Sequence, residues 1–424
     1  MTMDRRGFLR ATGAGTIVAG LPAFGQDAAK KPARVVVVGG GYGGATAARY
    51  LRLFAPSLEV LLVEPGEAFV SCPLSNLVLG GFRTMADITV PYTGLEREGV
   101  KVVRDRAVAI DGERKEVRLA NGAPIAFDRA VVSAGIDFMW DALPAMKDEA
   151  ARGVVLHAWK AGPQTAELRK RLEGMRDGGV FVIAIPEAPY RCPPGPYERA
   201  CLVAAYFKAA KPRAKVVILD ANQDVTSKGP LFKKAWAELY KGIVDYRPNS
   251  RVIDVDPASG VLKLDFGDER GDVVNLLPPM KAADVAAPFI TVNRRWCEVD
   301  WLTFESKAVP GVHVLGDSLQ VAPLMPKSAT MANAQAKVCA AAIAAWSRNQ
   351  PPLRAPVLLN TCYSLVSETE AIHVASVHKY DTAERTFKVV PGSGGVSSAM
   401  SEAEGRYAFN WARNIWADSL GPQG

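Results

Sequence analysis

Cys192 sits in PYRCPPGPYERA, residues 189–200, between the apolar run GVFVIAI and the segment CLVAAYFKA. A thiolate is both a nucleophile and, when paired, half of a two-electron redox couple. No C-x-x-C or C-x-x-x-x-C accompanies it, so a redox partner must come from elsewhere in the chain. Cys362, in LNTCYS, is the best placed candidate. The chain's six cysteines permit fifteen complete pairings, so composition alone does not choose among them. Glu198, six residues past Cys192, falls near a helix start, where the helix dipole favours a carboxylate. The four histidines, at 157, 313, 373 and 378, do not cluster at metal-ligand spacings, so no metal site is expected.

A nucleotide site stands earlier in the chain. RVVVVGGGYGGATAARYLRL, residues 34–53, reads as a buried strand, a glycine turn and an alanine-rich helix, with Gly39, Gly41 and Gly44 matching G-x-G-x-x-G. Gly39 permits the tight turn, Gly41 lets a pyrophosphate approach the backbone, and Gly44 lets helix and strand pack closely. The helix N-terminus offers free N–H groups to phosphate. The second strand, LEVLLVE, ends at Glu64, twenty residues beyond Gly44, where a carboxylate accepts from the adenosine ribose hydroxyls.

Two distant segments favour FAD over NAD as this nucleotide. FDRAVVSAG, residues 127–135, is a strand ending in small residues. PGVHVLGDS, residues 310–318, is an apolar strand ending at Gly316-Asp317 and resembles the flavoprotein signature whose Asp meets the ribityl or phosphate region. The helix after MPKS could aim its N-terminal amides at the flavin ring. Together these segments resemble an α/β flavoprotein of the glutathione-reductase type, with two Rossmann-like dinucleotide-binding folds. Residues 178–220 repeat the strand–loop–helix–strand order, but Pro186, Pro189, Pro193, Pro194 and Pro196 occupy the turn and have no N–H to give a phosphate. The reading is a second nucleotide fold that has lost nicotinamide binding.

The motifs RCPPGPYERA, LNTCYS, SCPLSN around Cys72, HAWKAG and MPKS, with the glycine turn, resemble the flavin-binding subunit of flavocytochrome c sulfide dehydrogenases from about Arg34 into the C-terminal region. The resemblance implies FAD joined covalently through Cys72, a redox-active disulfide of Cys192 with Cys362 beside the flavin, and Glu198 as proton acceptor. It also implies sulfide as substrate and a separate c-type cytochrome subunit as electron acceptor. This chain has no C-x-x-C-H and is expected to carry no haem. Two other flavoenzyme classes remain to be weighed. A sulfide:quinone oxidoreductase needs a quinone pocket and a membrane-seated amphipathic region, of which the C-terminus RYAFNWARNIWADSLGPQG has little. An NAD(P)H-dependent disulfide reductase is opposed by the proline loop. A flavoprotein that only docks a cytochrome is the non-catalytic reading.

The remaining features bound the rest. In 424 residues, with 49% hydrophobic and 22% charged content, two or three domains are expected. A net charge of +7 without a basic tail gives no reason to expect nucleic acid. Residues 1–26, with Arg5-Arg6 followed by Phe8-Leu9 and a short apolar stretch, resemble a twin-arginine export leader, which places the protein in the periplasm. No later run is long enough to insert stably in a membrane. The expected order is the leader, an FAD domain over 34–155 and 288–356, the second nucleotide-like fold over 156–287, and a C-terminal interface domain over 357–424 carrying Cys362. Cys201, Cys297 and Cys339 read as packing residues, and Trp411 and Trp416 as domain-packing aromatics.

Overall fold

The valine run becomes β1 (Arg34–Val38), whose Val35, Val36 and Val37 are wholly excluded from solvent. Continuous β-branched runs suit strands covered on both faces, as in parallel sheets. In this computed structural model, which describes residues 31–423, β1 leads into helix α1 (Tyr42–Phe54), and β2 (Glu59–Val63) returns parallel to β1. The expected leader over 1–26 lies outside the described residues. Two further strands, β3 (Lys101–Val103) and β4 (Arg129–Val132), pair parallel with β2 and β1 respectively. The turn between β1 and α1 requires glycine at two places. Gly39 has φ +96°, and a Cβ there would lie 2.6 Å from the Ser133 carbonyl oxygen. A Cβ on Gly44 would lie 1.8 Å from the carbonyl oxygen of Gly39.

The same order recurs in a second parallel sheet. β5 (Val180–Ile185), helix α2 (Gly195–Ala210), β6 (Lys215–Asp220), β7 (Val244–Arg247) and β8 (Val273–Leu276) give the strand order β7-β6-β5-β8. The sequence suggests a helix over CLVAAYFKA, but α2 begins six residues earlier, at Gly195, with Pro194 at the N-cap and Pro196 in the first turn. Proline belongs there, because a first-turn residue has no intrahelical partner for its N–H and the ring presets the helical φ. Glu198 therefore sits in the first turn of α2, and Cys192 just before it.

The chain then returns to the first sheet. β9 (Val312–Val314) pairs parallel with β4, completing the order β9-β4-β1-β2-β3. Helix α3 (Ala329–Ser347) follows, capped by Ser328, whose hydroxyl accepts from Met331 N at 3.1 Å. An antiparallel sheet of β10 (Val357–Leu365), β11 (Ala371–Asp381) and β12 (Thr386–Val389) comes next, then helix α4 (Glu402–Leu420). Asp418 on α4 accepts from Tyr50 of α1 and Asn333 of α3, each at 2.7 Å, and pairs with Lys337 at 2.7 Å. One carboxylate thus fastens the last helix to both helices of the first fold. No described helix is long and apolar enough to cross a membrane.

Since nothing at Gly44 can give way cheaply when the obstacle is backbone, Gly44→Ala is expected to lower stability by about 1–3 kcal/mol and to reduce flavin content. Thermal unfolding and flavin absorbance per chain measure both; an unchanged melting temperature would contradict the packing described.

Candidate active site

The glycine turn, the Cys72 segment, the proline loop and β10 meet around one cavity of about 260 Å³. At one end lies the turn. Gly41, the N-cap of α1, has no side-chain cap, and a Cβ there would meet nothing within 4 Å, so the first-turn amides face open space. Glu64 is held beside them, its oxygens accepting from Gly40 N at 2.7 Å and Gly66 N at 2.8 Å. Asp317 lines the same cavity, partly buried, and its buried Oδ1 has no hydrogen-bond partner. Burial raises its pKa, while Arg191 and Lys327 oppose the rise. The N-terminal residues of α3, Ser328 to Thr330, also face the cavity. An uncapped glycine-rich helix start, an anchored acid after the second strand and an orphaned buried carboxylate oxygen fit a dinucleotide flavin: amides for phosphate, acceptors for hydroxyls.

At the other end are the sulfurs. Cys192, Cys362 and Cys72 all line the cavity, and all are free thiols in the structure. Cys192 adopts φ +55°, which turns its side chain across the start of α2, and its N–H donates to the Lys327 carbonyl at 2.9 Å. Burial pushes its thiol pKa far up, and the nearby Cys362 and Glu198 add to this. Cys362 comes from β10, its thiol 3.6 Å from Asn360 Oδ1; burial raises it too, with Lys228 opposing. Glu198 is buried, accepting from Leu365 N at 3.0 Å and Asn76 Nδ2 at 3.2 Å. Burial raises this carboxyl above the usual range, which suits a group that must take up a proton. Cys72 precedes the short helix Ser75–Gly80, and its sulfur accepts from Arg191 Nη2 at 3.0 Å and Ala161 N at 3.3 Å.

The structure therefore brings Gly39, Gly41, Glu64, Cys72, Cys192, Glu198, Asp317 and Cys362 onto one cavity, and adds four cations not singled out from the sequence, the buried Lys228, Lys327 and Arg199 and the partly buried Arg191. Arg191 and Lys327 line the cavity; Lys327 donates to the carbonyls of Asp317 and Leu319, and its ammonium lies 3.6 Å from the Trp296 ring centroid. Burial lowers Lys327 to about 7. Lys228, at φ +59° before the helix Gly229–Leu239, donates to the Cys362 carbonyl at 3.0 Å and Ser364 Oγ at 2.7 Å. Burial lowers it to about 8, the Cys362 and Glu198 charges opposing. Arg199 is wholly buried on α2. Adjacency to Cys192 is a signal for Arg191; Lys228, in TSKGP, offers none. Trp411 also differs from expectation, because it lines the cavity beside Tyr363 rather than only packing domains. Trp416 donates to Tyr42 Oη at 3.0 Å. Cys201, Cys297 and Cys339 are buried, Cys201 accepting from Trp236 Nε1 at 3.2 Å.

In the second fold, the acid that ends β6 is already engaged. Asp220 is fully buried and accepts from Tyr197 Oη at 2.7 Å, Tyr246 Oη at 3.1 Å and Asn222 N at 2.9 Å.

Two parallel dinucleotide folds, one with an open glycine turn, and a set of thiols on the same cavity define a flavin-dependent oxidoreductase. Comparison with known proteins agrees. Residues 165–278 match the central region of the sulfide dehydrogenase [flavocytochrome c] flavoprotein chain, residues 354–420 the flavocytochrome c sulphide dehydrogenase flavin-binding family, and residues 33–171 the pyridine nucleotide-disulphide oxidoreductases. The chain is 67% identical over 45 residues to the sulfide dehydrogenase [flavocytochrome c] flavoprotein chain of Chlorobaculum thiosulfatiphilum, 11% of this chain and 94% of that sequence. It is 24% identical over 342 residues to the mitochondrial sulfide:quinone oxidoreductase of Mus musculus, 77% of this chain and 74% of that one. The fold matches the sulfide:quinone oxidoreductase structure from Aquifex aeolicus with a TM-score of 0.75 at 19% identity, over 92% of this chain and 93% of that one. The chain belongs to the family of flavocytochrome c sulfide dehydrogenase flavoprotein chains, a family of sulfide-oxidising flavoproteins.

His157, beside this site, gives a pH test. Its Nδ1 accepts from Trp159 N at 2.9 Å, and its ring lies 4.3 Å from that of Phe138. Burial, then the charges of Lys160, Arg199 and Arg191, lower its pKa from 6.5 to about 3. The folded state thus refuses a proton that the unfolded chain accepts, so the contribution is complete above about pH 6.5 and is lost as pH falls toward 3. His157→Gln is expected to flatten the fall of unfolding free energy in that window by up to about 1.4 kcal/mol per pH unit. Denaturant titrations at several pH values measure this, and parallel slopes in both proteins would refute it.

Proposed function

We propose that this chain oxidises sulfide at a Cys192–Cys362 redox pair, holds FAD covalently through Cys72, and passes electrons to a c-type cytochrome on a separate subunit. The observation that carries this reading is the convergence of Cys192, Cys362 and Glu198, from a loop, a strand and a helix, on the cavity that holds the glycine turn and Cys72. The family to which the chain belongs supports the substrate and the acceptor.

The cycle begins with the pair as a disulfide. Hydrosulfide attacks one sulfur, forming a new S–S bond as the old one breaks, to leave a persulfide on one cysteine and a thiolate on the other. Glu198, whose carboxyl burial raises above the usual carboxylate range, takes the persulfide proton. A second hydrosulfide attacks the outer sulfur and leaves with it, so that both cysteines end as thiolates. Lys228, donating to the Cys362 carbonyl, places positive charge near them. The flavin supplies a two-electron acceptor that can release electrons singly. Closure of the disulfide gives up two electrons, and the sum is two hydrosulfides to one hydrogen disulfide anion, one proton and two electrons. The first-fold residues hold the cofactor: the α1 amides and Glu64 its adenosine half, Asp317 its ribityl region. We read the proline-loop fold as a scaffold without a nicotinamide site, and the leader as directing the protein to the periplasm.

Cys192→Ser and Cys362→Ser, alone and together, are expected to reduce sulfide-dependent turnover on the order of 10³-fold or more, with the double variant no worse than either single one, because the pair acts as a unit. Turnover at the parent rate in the double variant would overturn the mechanism. The acceptor is decided by supplying soluble cytochrome c or a short-chain quinone to the same protein. Reduction of cytochrome c supports the reading; reduction of quinone alone would move the chain's activity to that named for its quinone-linked relatives.

A further inference from the structure

Arg191 neighbours Cys192 in the chain, yet its side chain serves a different sulfur. Nη2 donates to Cys72 Sγ at 3.0 Å and also to the carbonyl of Trp159, which fixes the guanidinium in place. The Ala161 amide donates to the same sulfur at 3.3 Å. Among the described residues no other cysteine sulfur accepts from a guanidinium; Cys201 receives only a neutral indole N–H. Arg191 and Cys72 both face the cavity, so the cradled sulfur has one open side, toward the place where the cofactor fits. Burial works against the charge on Arg191, but Cys72, Asp317 and Cys192 outweigh it and keep the guanidinium charged. The thiol itself donates to the Trp159 carbonyl at 3.7 Å, and the fixed cation and fixed amide on the same sulfur favour negative charge there once that proton leaves, since charge-assisted hydrogen bonds are about twice as strong as neutral ones.

We propose that Arg191 is the catalytic residue for cofactor attachment: with the Ala161 amide it holds the Cys72 sulfur aimed into the cavity and stabilises the negative charge that develops there as the thiol proton leaves, so that the thioether to the flavin forms at this sulfur. The inference rests on the reading that Cys72 carries the flavin. In the step, the thiol proton leaves to solvent, a C–H bond of the flavin 8α-methyl breaks with its proton also released, and the Sγ–C8α bond forms. The two electrons so freed stay on the flavin ring until an acceptor of the haem class, or dioxygen, removes them. The arrangement also explains why attachment selects Cys72 over Cys192 and Cys362. Their sulfurs lie near a carboxylate and each other, which disfavours negative charge on them, and receive no guanidinium hydrogen bond.

The test uses the purified full-length chain in four forms: parent, Cys72→Ser, Arg191→Gln and Arg191→Lys. Total flavin is measured by absorbance, and the covalent share by acid precipitation and the mass of the Cys72 peptide; neither readout depends on turnover. In Arg191→Gln, bound flavin is expected at near parental content but with attachment slowed on the order of tenfold or more, the scale of one lost charge-assisted hydrogen bond. Arg191→Lys, which keeps the charge but not the planar fork, should fall between. Attachment as fast in both variants as in the parent overturns the inference while leaving the reading of Cys72 intact. If Arg191→Gln does not accumulate as folded protein, Arg191→Lys decides alone: parental attachment overturns the inference and slower attachment supports it. Flavin released entirely from the denatured parent sinks the reading of Cys72, and the inference with it.

Discussion

The site depends on one buried guanidinium. Arg199 donates to Asn76 Oδ1 at 3.0 Å, Asn275 Oδ1 at 2.8 Å, the His157 carbonyl at 3.0 Å and the Ala158 carbonyl at 2.7 Å. These acceptors come from the helix after Cys72, from β8 of the second sheet and from the crossover between the folds, while Arg199 itself rides on α2 with Glu198 and just beyond Cys192. Burial lowers its pKa only to about 10, so it stays charged. A buried charge is tolerable only when its hydrogen bonds are met, and here neutral dipoles meet them. Each orphaned acceptor would cost about 1–3 kcal/mol, so the segments that carry the sulfurs are locked to one another through this group. Asn76 relays the constraint: its Oδ1 accepts from Arg199, and its Nδ2 donates to Glu198.

What the sequence displayed and what it hid divide along a physical line. The turn at Gly39–Gly44 was legible because strand, glycine spacing and helix are local, and backbone sterics leave few residues that fit. The acid at Glu64 followed because strand length fixes where β2 ends. Cys192 stood out in its proline loop and Cys362 as its best placed partner, but their pairing and the role of Cys72 came only through the family resemblance; the three lie up to 290 residues apart in sequence, and no periodicity encodes their meeting. Of the cations, Lys228 was not legible at all. Lys228 lies between polar residues in a stretch that reads as an exposed loop, and only the tertiary fold takes it out of water. The start of α2 lies earlier than the segment CLVAAYFKA suggests for a different reason: Pro194 and Pro196 stand at its N-terminus, where proline is compatible with the first turn.

The two nucleotide folds show how one backbone plan serves two ends. In the first, the acid after the second strand is held by backbone amides of the turn, while the amides at the start of α1 stay free. In the second, Asp220 is fully engaged by two tyrosines and its own Asn222, within an aromatic cluster of Tyr197, Phe232, Trp236 and Tyr246. A carboxylate so satisfied and dry has nothing left to offer a ribose.

The loop between β5 and α2 completes the contrast. Its prolines remove donors, and the donors that remain are turned inward. Ala188 N donates to Asn222 Oδ1, Cys192 N to the Lys327 carbonyl and Gly195 N to the Cys192 carbonyl. In an open glycine turn those groups would converge on phosphate; here they fix the loop against α3 and against itself. The gain is a rigid support for a residue at φ +55°, a backbone state that a cysteine adopts only when its surroundings determine it. Prolines where glycines would be expected thus leave few free amides in the loop and fix its position. The same loop that could have held a pyrophosphate presents one sulfur to Cys362 and, through Arg191, reaches a second at Cys72.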